Sequence, residues 1–119
     1  MHDLSFVQQQ DPFTHWVMWN IPAASTGLPA ELPVGVSPGV PAEDTGQVSI
    51  RDDNGFMGSG ACGNVYELVL FALSVPSFEP MSDDPDEVED EITTSGDVIG
   101  TTTLRARSNP APVGPCNTQ

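Results

Sequence analysis

Lysine is missing from this 119-residue chain, and three arginines face seventeen aspartates and glutamates. The net charge of −14 repels phosphate backbones, which excludes nucleic-acid binding as a function class. It equally excludes charge-driven docking onto anionic lipid surfaces. A surface without lysine suits a secreted or salt-adapted protein, and a secreted or periplasmic location is favoured over a cytoplasmic one. Cysteine occurs twice, at Cys62 and Cys116, too few for a disulfide framework and without metal-site spacing. Two readings of the pair stay open. One is a bridge in an extracytoplasmic compartment, adding about 3–4 kcal/mol if it acts through chain entropy; the other is two buried thiols. Long apolar runs are absent as well. The longest, Leu68 to Leu73, falls far short of the roughly 20 residues a membrane-spanning helix needs, and no signal-peptide pattern is present.

What the chain does have is turn-forming residues. Twelve prolines and eleven glycines make up about a fifth of it and favour a loop-rich all-β protein. The length allows one domain at most. The predicted division is a β domain over residues 1–107 and an irregular, proline-rich tail over 108–119. Two segments are too apolar and too regular for a wholly disordered chain.

The first of these follows Asp11-Pro12. From Thr14 to Ile21 the side chains alternate, with His15, Val17, Trp19 and Ile21 on one face and Thr14, Trp16, Met18 and Asn20 on the other. Aromatic and β-branched residues suit such a pleated, buried surface. The second is Val65 to Ser74, where nearly every residue except Glu67 is apolar; this pattern predicts a strand buried on both faces. Leu4–Gln10 and Val48–Ile50 are lesser strand candidates. Val98–Arg107 is a β-rich final strand. Between the first strand and Gly46 the prolines and glycines predict a long ordered loop. One helix is predicted, near residues 84–94, with Asp83 or Asp84 as its cap and Pro85 in its first turn. Val88 and Ile92 form its apolar contact, and Gly96 its stop. Its acidic residues read as a solvated face.

Chemistry-bearing patterns are few. Asp52-Asp53-Asn54-Gly55 is a turn signal without the further oxygen ligands and closing glutamate of a calcium loop. Gly58–Asn64 lacks the ending of a nucleotide-binding phosphate loop. Its glycines let backbone approach closely, for a turn or for a ligand. His2 lies too near the terminus to be expected in a fixed position, which leaves His15 as the one general-base candidate. No nucleophile or orienting acid can be named beside it, so an enzyme is not expected. A metal would need several ligands converging on His15, and only Asp11 is evident. An imidazole with a nearby carboxylate and glycine-loop amides suits a small anion or polar head group instead.

These residues also resemble a family. His15 to Ala23, His-Trp-Val-Met-Trp-Asn-Ile-Pro-Ala, is similar to the His-Trp-Val-Val-x-Asn-Ile-Pro segment of phosphatidylethanolamine-binding proteins, the Raf-kinase-inhibitor-like family. In order along the chain, Leu28-Pro29 resembles its Leu-Pro loop and Arg51–Phe56 its Arg-Asn-Asp-Phe-Gly turn. Gly58–Cys62 resembles its Gly-Pro-Cys-Pro-Pro loop, Tyr66–Leu73 its tyrosine-bearing strand, and Gly96–Gly100 its Gly-His-Val-Leu-Ala segment. The resemblance implies a Greek-key-like antiparallel β-sandwich with a small pocket for phosphate-bearing head groups. In this chain the pocket residues would be Asp11, His15, Gly58, Ser59, Gly60, Asn64 and Tyr66. The pattern departs from the family in three places. The acidic segment before His15 is shortened, Asn64 stands where a second histidine is usual, and the glycine loop lacks its double proline. The strands that usually precede the Ser5 region are also absent, so the chain reads as a family domain lacking about its first third.

Two functions follow from the resemblance. The first is a non-enzymatic binding domain, without cofactor or metal, that takes a small anion or phospholipid head group. The alternative is a protein-interaction module, like the kinase and protease inhibitors of the family, acting through its acidic surface.

Overall fold

The structure, a computed structural model, describes residues 1–4, 14–56 and 65–107. The described chain is built from five strands and one helix: β1 (His2–Asp3), β2 (Trp16–Trp19), β3 (Gly46–Ser49), β4 (Val65–Leu73), α1 (Pro85–Thr94) and β5 (Val98–Arg107). The strands form two antiparallel sheets, one in the order β1-β4-β5 and one pairing β2 with β3. The described chain is therefore all-β with a single short helix, as its composition and periodicities predict.

The predicted strand of residues 14–21 is realised as β2, and it stops at Trp19 for a local reason. Asn20 adopts a left-handed conformation, φ 58°, which asparagine tolerates better than most residues and which cannot continue a strand. Its side chain then ties three segments together. Nδ2 donates to the carbonyls of Asp44 and Phe78 at 3.1 Å each, and Oδ1 accepts from the Phe78 amide at 2.7 Å. Residues 20–45 hold no strand or helix and are ordered by such contacts.

Pairing in β2–β3 sorts the side chains by face. Val17 lies opposite Val48, and Trp19 opposite Gly46. On this face Trp19, Val48, Val88 and Ile92 form the buried core, with Val17, Phe71, Leu73, Phe78 and Val98 packed against it. Both sheets and α1 thus meet in one apolar cluster. The other face carries Trp16, whose indole Nε1 donates to Gln47 Oε1 at 2.9 Å. Gln47 Nε2 donates in turn to the carbonyls of Pro33 and Gly35 at 2.8 and 2.9 Å. A fully buried amide is tolerable because all of these groups are bonded. Trp16 also meets Phe56 edge-on, with ring centroids 5.2 Å apart.

α1 forms where its caps dictate. Asp84 is the N-cap and accepts from the amides of Asp86 and Glu87 at 2.9 and 3.2 Å, and Pro85 opens the first turn. Gly96, with φ +81°, follows the C-cap in the left-handed conformation that glycine adopts without steric cost.

One expectation is corrected. β4 is not buried on both faces. Phe71 and Leu73 turn to the core, whereas Leu68 and Leu70 are exposed, Leu70 by 58%. They share their face with Leu104 of β5, which pairs with Leu68 and is 64% exposed. Among the described residues the apolar core lies on one side of this sheet; on the other, Tyr66 at one end is buried, while Leu68, Leu70 and Leu104 are exposed. The lesser strand candidate at residues 4–10 falls largely outside the described residues. The strand in that region is β1, just before it, and the Leu4 amide extends its pairing by donating to the Val65 carbonyl at 2.8 Å.

Candidate functional site

Thr14, His15 and Trp16 enter β2 at the junction of the two sheets. All three are buried, His15 to 6% exposure. The His15 backbone is held on both sides: its amide donates to the Met1 carbonyl at 2.8 Å, and its carbonyl accepts from the Ile50 amide at 3.0 Å. The imidazole meets the ring of Tyr66 edge-on, centroids 5.7 Å apart at 64°. Tyr66, also buried, is the second residue of β4 and pairs with Asp3 on one side and Ala106 on the other. A histidine from one sheet is thereby set against a tyrosine from the other.

Of the residues assigned to the pocket from sequence, these two are brought together. Asp11, Gly58, Ser59, Gly60 and Asn64 lie outside the described residues, as do Cys62 and Cys116. Among the described residues no three His, Cys, Asp or Glu side chains are grouped to hold a metal ion, and no helix is long and apolar enough to cross a membrane.

Beside His15 lies a charged cluster that sequence reasoning missed. His2, expected to be unfixed, is held in β1 opposite Glu67 of β4 and bridged to Thr14. Its Nδ1 lies 3.2 Å from Glu67 Oε1, and its Nε2 lies 2.7 and 2.6 Å from Oε1 and Oε2 of Glu89 on α1. The hydrogen bond with Glu89 raises the His2 pKa above its ordinary value, against the opposing effect of burial; the charge of Glu89 and the bond to Glu67 add to the rise. For Glu89, burial alone would push the carboxyl pKa up. The bonds from His2 and Thr14 and the positive charge of His2 together outweigh it, and the net shift is downward. Glu67 is lowered first by the hydrogen bond from Arg105, whose Nε lies 2.8 Å from its Oε2, and then by His2, with burial working the other way.

The cluster reaches the site through Thr14. Its hydroxyl donates to Glu89 Oε2 at 2.7 Å and its amide to Asp86 Oδ1 at 2.7 Å. The acidic side of α1 is therefore not only a solvated face. Glu91 accepts from the amides of Met81 and Ser82, and Ser82 donates its hydroxyl to Glu87. The signal available in the sequence was Glu67, one charge on the strand face that otherwise carries Val65, Val69, Phe71 and Leu73. A carboxylate there requires a partner, because an unpaired charge facing apolar surroundings is costly.

The His-Trp entry to β2 and the tyrosine-bearing strand β4 are two of the segments that carry the family resemblance. No curated protein and no solved structure matches the chain. A family model described as phosphatidylethanolamine-binding protein matches residues 1–108. The chain belongs to the phosphatidylethanolamine-binding protein family.

Proposed function

We propose that the domain binds a small phosphate-bearing ligand, such as a phospholipid head group, or a similar small anion, and that it does so without catalysing its conversion. His15 is the central residue of this reading. The observation that carries it is the fixed pairing of His15 with Tyr66 at the sheet junction, in a chain that matches a ligand-binding family over nearly its whole length. An imidazole in such a position offers a hydrogen-bond donor, and a positive charge when protonated, to an anionic oxygen. Asp11, Gly58, Ser59, Gly60 and Asn64 enter the proposal from the resemblance. The asparagine supplies an amide donor without charge, which predicts weaker anion binding than two imidazoles would give.

The chain's two histidines make the test internally controlled. Inorganic phosphate and O-phosphorylethanolamine are titrated separately while the imidazole NMR signals of His15 and His2 are followed at fixed pH. A saturable shift of His15, with His2 unmoved, supports the proposal. Signals of His15 that stay in place at millimolar concentrations of both compounds overturn it.

A further inference from the structure

We propose that His2 is a proton-operated latch: its doubly protonated ring clasps Glu67 of β4 and Glu89 of α1 at once, and loss of one proton releases α1 and Thr14 from the three-stranded sheet. This goes beyond ligand binding and holds whatever ligand His15 meets.

The geometry carries the argument. Both ring nitrogens of His2 face carboxylate oxygens, Nδ1 at 3.2 Å and Nε2 at 2.6 and 2.7 Å. A neutral imidazole has one N–H donor, and its other nitrogen is an acceptor. With both carboxylates ionised, only the imidazolium satisfies both contacts. In the neutral ring a lone pair would be aimed at an anionic oxygen, and the two glutamates would flank an uncharged group. The ion pairs are mostly shielded from solvent, so screening does not erase the difference.

The charged groups facing His2 are Glu67 of β4, itself paired with Arg105 of β5, Glu89 of α1, and the Met1 amino group. The Thr14 hydroxyl donates to the same Glu89 carboxylate, and the Thr14 amide to Asp86 of α1. Thr14 shares Glu89 with His2, so the latch reaches the residue next to His15. Val88 and Ile92 remain in the core when the latch opens, which confines the release to the side of α1 that bears Asp86 and Glu89.

Burial lowers the pKa of the Met1 amino group below 8.0, and this group works in the opposite direction as pH rises. A comparison between chains that share it removes its effect. The experiment therefore follows amide hydrogen exchange of residues 14 and 86–92 from pH 6 to pH 9 in the full chain, in His2→Gln and in Glu67→Gln, corrected for intrinsic exchange rates. His2 is titrated in parallel by imidazole NMR. In the unsubstituted chain His2 is expected to titrate above the ordinary histidine value, and protection of these amides to fall about tenfold across that titration, the scale of one charge-assisted hydrogen bond. In His2→Gln the fall disappears. Glu67→Gln keeps the Glu89 contact, so the His2 midpoint moves down and the fall in protection moves with it. The proposal is overturned if His2 titrates at or below the ordinary value, or if protection falls equally in His2→Gln. Should His2→Gln fail to fold, the same decision rests on Glu67→Gln: a fall in protection that does not follow the shifted His2 midpoint overturns it.

Discussion

At Gly46 a hydrogen in place of a side chain decides how the two-stranded sheet meets the core. A Cβ built there would collide with the indole ring of Trp19, directly across the strand pair. Trp19 is buried in the central cluster and has little room to withdraw. Gly46→Ala is therefore expected to destabilise the fold by about 1–3 kcal/mol, the usual range for overpacking, measured by urea unfolding. Equal stability of the two chains would show that Trp19 does not lie over Gly46. A second residue-scale prediction concerns pH. The folded pKa of His2 is raised from 6.5, so its stabilising effect is fully present below 6.5 and fades as pH rises through the folded value. Glu67 and Glu89 are lowered from 4.5; their effect is present above 4.5 and fades as pH falls through their folded values. Both contributions are whole only between pH 4.5 and 6.5. The excess of the unsubstituted chain's denaturation midpoint over that of His2→Gln, measured across pH 3–9, is expected to be largest in that window and to shrink on its alkaline side, since the Met1 amino group is common to both. An excess that stays constant up to pH 9 would contradict this.

At the scale of elements, α1 depends on local devices. Asp84 satisfies two first-turn amides that have no partner inside the helix, so Asp84→Ala is expected to cost about 0.5–2 kcal/mol, read as a lower thermal midpoint. An unchanged midpoint would mean that water caps the helix equally well. Because the cap, the first-turn proline and the terminal glycine are neighbours in sequence, this element was legible almost residue for residue. β2 was legible in its alternation, which put Val17 and Trp19 on one face and Trp16 on the other. Its end at Asn20 was not, since the left-handed turn there is fixed by Asp44 and Phe78, far along the chain. His2 was misread for the same reason. Its partners lie 65 and 87 residues away, and no local pattern announces them. For the candidate site, sequence singled out His15 and Tyr66, and the fold places one against the other. The contact itself arises from two sheets meeting, which periodicity within a strand does not encode.

For the whole molecule, the notable departure is the open face of the three-stranded sheet. An unbroken apolar run in β4 predicts burial on both sides, yet periodicity cannot tell a strand between two layers from one covered on a single side. Leu70 there is 58% exposed and Leu104 64%. Replacing Leu70 with threonine is expected to change stability by no more than about 0.5 kcal/mol, as for exposed positions generally. It should also reduce self-association at high concentration, measured by light scattering, because a contiguous apolar patch promotes it. A loss of several kcal/mol would show that the leucine is covered after all.

The two faces of β2 also differ optically. Trp19 sits among aliphatic side chains at the meeting point of both sheets and α1, while Trp16 lies on the opposite face against Phe56, with its indole N–H bonded to Gln47. These are the only tryptophans in the chain. Trp16→Phe leaves a fluorophore that reports on the core, and Trp19→Phe leaves one that reports on the loop-covered side. The emission of these two variants during unfolding would reveal whether the loop layer detaches before the core or along with it.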